Sequence, residues 1–88
     1  MRVQRRADEV TDLLTRDGVT VVMARGQLVR LSPLSAMILA LAEERIEYDE
    51  LARQLEERFG APEGRSALDA TKDAVTEMIR LGVLRRSS

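Results

Sequence analysis

The first third of the chain is rich in β-branched residues, and the rest has the apolar spacing of helices. Val, Thr and Leu are concentrated in three short segments, at residues 9–15, 19–24 and 27–32. Asp17-Gly18 separates the first two segments and is a strong signal for a two-residue hairpin turn. Arg25-Gly26 separates the second from the third. Since such short connections leave few alternatives, the pattern predicts three antiparallel strands in a meander.

A helix is predicted directly after the third strand. Ser32 is a good N-cap, because its hydroxyl can accept a hydrogen bond from a free helix N–H. Pro33 fits the first helical position, where a missing N–H costs nothing. The segment that follows, residues 33–44, is apolar almost all round until its final acids, which is typical of a helix buried on several sides. We expect this helix to be the hub of the core.

Two amphipathic helices are predicted in the second half. The first carries one apolar stripe, at Tyr48, Leu51, Ala52, Leu55 and Phe59. Gly60 and Pro62 end it. Ser66 and Asp69 resemble a capping box at the start of the next helix, and Gly82 is expected to cap its end. The inner side of that last helix is predicted at Leu68, Val75, Met78 and Ile79.

Strands followed by helices indicate an α+β fold. We predict a small three-stranded antiparallel sheet followed by three helices, winged-helix-like but with the strands before the helices. Residues 1–8 are expected to form a flexible basic N-terminal arm. Residues 9–84 would form a single domain, and residues 85–88 a C-terminal tail.

Composition excludes several classes of function. The chain has 88 residues, enough for one modest core but not for a deep enclosed active site. It contains no Cys, which excludes disulfides and Cys-ligated zinc, and no His, the commonest general base and metal ligand. The longest apolar run, at residues 33–42, is too short to span a bilayer, and no signal peptide is visible. We therefore expect a cytoplasmic protein that does not act on membranes.

Catalytic and metal-binding interpretations have simpler alternatives. Ser35 and Ser66 lie at helix starts, where capping explains them. Asp69, Asp73 and Glu77 form a carboxylate ladder on the last helix, but basic residues lie within a turn of it, as on an ordinary solvated face. Each Gly is isolated and has a turn or cap explanation. We expect no enzyme activity, no bound metal and no cofactor.

Nucleic-acid binding is a serious alternative, because helix–turn–helix domains have this size. The chain has 14 Lys and Arg against 15 Asp and Glu, so its net charge of -1 gives no overall attraction to DNA. The last helix, the candidate recognition helix, carries three acids against Lys72 and Arg80. That face would repel a duplex, whose bases are read mainly by Arg, Lys, Asn and Gln. We expect no nucleic-acid partner, and a small winged-helix DNA-binding protein remains the alternative.

The third strand is the outer strand of the predicted sheet. Its alternation places Val29 and Leu31 on one face and Leu28 and Arg30 on the other. An open edge can accept an extended peptide, with backbone bonds giving affinity and side-chain pockets giving specificity. The short length of the third strand and the charge of Arg30 can equally protect this edge from pairing. A third possibility is a self-associating module whose open edges pair between chains. The residues alone do not choose among these three, and they leave the oligomeric state open.

Three segments in order resemble the PqqD family, whose members are also called RiPP recognition elements. The family signature is a strand leading into Leu-Asn-x-Thr-Gly/Ala and an apolar helix. Here it reads "GQLVRLSPLSAMILAL", with Ser32 in place of Asn and Ser35 in place of Thr. "DELARQLEERFG" and "DAVTEMIRLGVL" resemble the family's later helices. The resemblance covers residues 9–84. It departs from the family at "EERIEY", where Gly and Thr are usual.

The resemblance implies a non-catalytic peptide chaperone. Family members bind the leader segment of a ribosomally made precursor peptide as an extra antiparallel strand beside the third strand, in a cleft against the third helix. They present it to a modifying enzyme, often a radical S-adenosylmethionine enzyme, or to a leader peptidase. Lys72 and Arg30 would pair with leader acids. The peptide-binding residues implied are Gln27, Leu28, Val29, Arg30, Leu31, Ala67, Ala70, Thr71, Lys72, Ala74 and Met78. For Ala74 and Met78, ordinary core packing is the alternative interpretation.

Overall fold

A computed structural model describes residues 2–5, 10–24 and 26–87, without the side chains of residues 5, 10–13 and 87. Six strands and three helices occur in these ranges. In chain order they are β1 (Arg2–Arg5), β2 (Val10–Arg16), β3 (Val19–Ala24), β4 (Gln27–Leu31), α1 (Pro33–Leu41), β5 (Ile46–Glu47), α2 (Tyr48–Phe59), α3 (Ala67–Arg80) and β6 (Leu84–Ser87).

The predicted meander is confirmed. β2, β3 and β4 form an antiparallel sheet in that order, with Val22 opposite Val29. Asp17 has φ 53° and Gly18 has φ 78°. Two successive positive φ values define the I′ type of hairpin turn, whose twist matches that of the strands it joins. In the second turn, Arg25 lies outside the described residues.

A second antiparallel sheet was not predicted. β1 lies in its centre, between β5 and β6, with Val3 opposite both Ile46 and Arg86. This corrects the expected arm and tail. Residues 2–5 form a strand whose Val3 is fully buried, and residues 84–87 pair with it. Of the predicted arm and tail, residues 1, 6–8 and 88 lie outside the described part. Strands of two to four residues are too short to show a period in the sequence.

The core lies between the meander and the three helices. α1 buries Ile38 and Leu39 completely and packs against β3, β4, α2 and α3, as expected for its apolar sequence. The meander contributes the inner faces of its strands, including Val22 and Leu31. The remaining large, fully buried side chains are Leu51, Val75, Met78, Val83, Leu84 and Val3.

The predicted helix caps are confirmed. Ser32 Oγ accepts a hydrogen bond from the Ser35 N–H at 3.1 Å, and Ser66 Oγ accepts one from the Asp69 N–H at 3.0 Å. Gly60 ends α2 at φ 85°, a value that side chains disfavour. α1 ends at Leu41, earlier than predicted. The acids that follow it, Glu43 and Glu44, are unfavourable at the negative end of a helix dipole.

The fold is therefore α+β, with two small three-stranded antiparallel sheets and three helices. The second sheet makes it only loosely winged-helix-like. Within residues 2–5, 10–24 and 26–87, no helix has the length and apolar character needed to cross a bilayer.

Candidate functional site

The outer edge of β4 is free of any other described strand. Ala24 lies opposite Gln27 at the turn between β3 and β4, and such a closing pair exchanges its backbone hydrogen bonds. Hydrogen-bonded and non-hydrogen-bonded pairs alternate along an antiparallel ladder. Val29 and Leu31 therefore also bond to β3. Leu28 and Arg30 direct their N–H and C=O groups away from β3, so the open edge offers the backbone of these two residues.

The side chains of β4 alternate as predicted. Leu31 is buried and Val29 is half-buried on the helix side of the sheet. Leu28 is 74% exposed on the opposite face, which it shares with exposed Arg30. A single exposed leucine is common on protein surfaces, but here it lies on a strand whose outer edge is unpaired. The strand thus has a packed inner face and an accessible outer face and edge.

An apolar pocket of about 210 Å³ opens where the start of α1, the end of α2 and the start of α3 meet. Glu56 is the charged residue in its lining. Pockets that hold whole small molecules are usually about 300–1,000 Å³. The smaller volume favours a single side chain of a larger partner. The pocket is lined by Leu34, Leu55, Glu56, Phe59, Gly60, Ala61, Pro62, Ala67, Ala70 and Thr71.

One wall of the pocket lies close in sequence to the free edge of β4. Leu34 lines the pocket and is three residues after Leu31, the last residue of β4. Because consecutive Cα atoms are about 3.8 Å apart, the Cα atoms of Leu31 and Leu34 lie within roughly 11 Å of each other. A peptide of a few residues is long enough to reach both the edge and the pocket.

The structure brings together three of the predicted helix residues. Ala67, Ala70 and Thr71 all line the apolar pocket, and the small alanines leave it open. Ala74 is half-buried and packs against the core. Met78 is only 1% exposed and belongs to the core itself, so it offers no surface to a peptide. The sequence could not make this distinction, because all five residues share one helical stripe.

Lys72 lies elsewhere. It lines a separate depression of about 390 Å³ with Tyr48, Thr76 and Arg86. Successive helical residues are rotated by roughly 100°, so Lys72 projects far from the direction of Ala67 and Ala70. Lys72 therefore does not share the pocket that Ala67, Ala70 and Thr71 line, and its pairing with a leader acid stays a prediction. Arg30 remains on the exposed face of β4.

Sequence reasoning missed the other walls of the pocket. Leu34, Leu55, Phe59 and Pro62 were assigned to helices or loops without a role in binding. Phe59 is 46% exposed, although it ends the apolar stripe of α2. An aromatic residue at the end of such a stripe, directly before the helix stop at Gly60, was the one available signal.

The acidic face of α3 is partly neutralised by neighbouring arginines. Arg65 forms an ion pair with Asp73, and Arg80 with Glu77. The hydrogen bond from Arg80 lowers the pKa of Glu77 below its ordinary value. In the described part of the chain, no three acidic residues come close enough to hold a metal ion. Two carboxylates of the ladder, Asp73 and Glu77, are thus ion-paired on an exposed helix face.

No family model, curated protein or solved structure matches this chain. The edge of β4, the apolar pocket and the chemistry of their residues are therefore the features that indicate a function.

Proposed function

We propose that this chain is a non-catalytic, PqqD-like peptide-binding protein of the cytoplasm. Its ligand is the leader segment of a ribosomally synthesised precursor peptide. Its partner is the enzyme that modifies that precursor, a radical S-adenosylmethionine enzyme or a leader peptidase. The leader adds as a strand to β4, and one of its apolar side chains enters the pocket beside α1.

The observation that carries the proposal is the free edge of β4 beside the apolar pocket. Strand addition takes its affinity from backbone hydrogen bonds and its specificity from pockets for particular side chains. Leu28 and Arg30 supply the free backbone groups, and the pocket lined by Leu34, Ala67 and Ala70 supplies an apolar site. The two edge residues and Leu34 of the pocket lie in the segment that resembles the family signature.

Tethering explains what such binding achieves. A leader held next to the modifying enzyme raises the local concentration of the attached core peptide to the millimolar range when the linker is short and flexible. The enzyme then needs little affinity for the core sequence itself. A protein without catalytic groups of its own accelerates the modification in this way.

Residue-resolved amide hydrogen exchange tests the proposal. The protein is measured alone and with synthetic peptides encoded by short reading frames beside its gene. We expect the amides of Leu28 and Arg30 to exchange fast in the free protein and slowly with the correct peptide. The amides of Val29 and Leu31 are internal controls, because they bond to β3 in both states.

Unchanged exchange at Leu28 and Arg30 with every such peptide would contradict the proposal. Binding to random duplex DNA with a steep salt dependence would instead support the winged-helix alternative. Protection of the same two amides that grows with protein concentration, without any peptide, would support self-association through β4.

A further inference from the structure

We infer that β4 selects peptides in which an acidic residue is followed two positions later by an apolar one. The inference rests on the proposed function and concerns its specificity. It assigns the selection to Arg30 and Leu28, the two residues that share the outer face of β4.

Strand geometry sets the order of the two peptide residues. β4 is already paired antiparallel with β3, and antiparallel pairing is the more stable kind per residue. In an antiparallel guest strand, the residue opposite Arg30 comes two positions before the residue opposite Leu28. Both point to the outer face, since side chains alternate along a strand. The residue between them lies opposite Val29 and points towards the helices.

Leu28 favours an apolar residue opposite it. It is 74% exposed and lies opposite Met23, a half-buried residue of β3 on the same face. An apolar guest residue would extend this row and remove water from Leu28. Burying apolar surface is favourable roughly in proportion to the area removed from water.

Arg30 favours an acidic residue opposite it. Its guanidinium is exposed and forms no ion pair with another described residue, and its neighbour on β3 is the uncharged Val21. Directly opposed strand residues of opposite charge stabilise a sheet, and directly opposed like charges destabilise it. The preference therefore excludes basic residues as well as favouring acidic ones.

A phage-displayed library of random peptides, long enough to form one strand, tests the inference. We expect the wild-type protein to enrich Asp or Glu followed two positions later by an apolar residue. The Arg30→Glu variant should instead enrich Lys or Arg at the first position. A selected acidic peptide should bind Arg30→Glu about fivefold more weakly, and replacing its acid by Lys should restore the binding.

Two further variants keep the test decisive. Arg45→Glu makes the same charge change at an exposed site beyond the other end of α1, and it should select the same peptides as the wild type. Arg30→Gln, which keeps a polar side chain but removes the charge, should lose the charge preference and keep the apolar one. Circular dichroism confirms that each variant is folded.

Two results would overturn the inference. Enriched peptides without the acidic preference, with the two residues in the reverse order, or unchanged by Arg30→Glu would remove the assigned specificity and leave the proposed function standing. Failure to enrich any peptide, with all variants folded, would remove the proposed function and the specificity together.

Discussion

Met78 and Ala70 lie on the same stripe of α3 but have different surroundings. Met78 is 1% exposed and is one of the largest fully buried side chains. Ala70 is half-buried and lines the apolar pocket. Core packing and pocket lining therefore fall to different residues of one helix face, which makes them separable by mutation.

Met78→Ala should lower the free energy of unfolding by about 2–5 kcal/mol, because it leaves a cavity in the core. Ala70→Leu should change it by less than about 1 kcal/mol, since the added side chain fills an open pocket next to solvent. Ala70→Leu should nevertheless weaken the binding of peptides selected by the wild type. Urea unfolding and fluorescence titration measure the two effects. Similar losses of stability in both variants would contradict the assignment.

Glu50 has the most strongly shifted carboxyl pKa on α2. Arg53 donates to it from Nε at 3.0 Å, and Gln54 donates from Nε2 at 3.0 Å. These hydrogen bonds lower the pKa of Glu50 from 4.5 to about 2, with Arg53 as the largest cause. The side chain is exposed, so its effect on stability is small and screened by salt.

The sign of the pH dependence follows from this lowered pKa. The unfolded chain binds a proton at Glu50 near pH 4.5, and the folded chain does so only near pH 2. The contribution of Glu50 to stability is present above pH 4.5 and is lost as the pH falls towards 2. Arg53→Ala should raise the pKa of Glu50 towards 4.5, as measured by NMR titration of its side chain. Arg58→Ala, on the same helix, is the control and should leave that pKa unchanged.

At the scale of elements, β4 matters because its free edge has a defined alternation. Only alternate residues present their N–H groups to a guest, and Leu28 is one of them. Proline lacks this group but is tolerated on edge strands whose N–H faces solvent. A proline at this position therefore removes the guest's bonding partner and leaves the ladder between β3 and β4 intact.

Leu28→Pro should stay folded and lose most of its affinity for a wild-type-selected peptide. Leu28→Ala is the matched control, because it keeps the N–H and removes only the apolar side chain. It should bind more weakly than the wild type but better than Leu28→Pro. Equal affinities of the two variants would show that the backbone of Leu28 does not pair with the peptide. Circular dichroism and peptide titration are the measurements.

At the scale of the whole molecule, the second sheet connects distant parts of the chain. β1 pairs with β5, between α1 and α2, and with β6, after α3. Val3 is fully buried there, and Arg2 Nε lies 3.0 Å from Glu47 Oε1 in a partly exposed ion pair. Residues 2–5 thus contribute to the same folded unit as the helices.

A chain that begins at Glu9, the boundary suggested by the sequence pattern, should be markedly less stable than the full chain. Loss of the buried Val3 alone should cost about 1.5–3 kcal/mol, and the lost strand pairing adds to this. Arg2→Ala is the control and should cost less than about 1 kcal/mol, because exposed ion pairs contribute little. Urea unfolding measures each variant. Equal stability of the shortened and full chains would show that β1 is dispensable.

Local signals in the sequence determined the meander, the three helices and their caps. Asp17-Gly18 specifies its turn by its own backbone preferences. Ser32 and Ser66 each cap a helix by accepting a hydrogen bond from the N–H three residues later. The apolar stripe of α2 repeats with the helical period. The outer position of β4 also follows from these short connections. Each signal acts over a few residues, so it can be recognised without the rest of the fold.

Only the tertiary structure decided the second sheet and the apolar pocket. β1 has four residues and pairs with segments far along the chain, so no local period marks it. The pocket exists because α1, α2 and α3 meet with small residues at the junction. Long-range packing brings such residues together, and it likewise buries Met78 while leaving Ala70 at the surface.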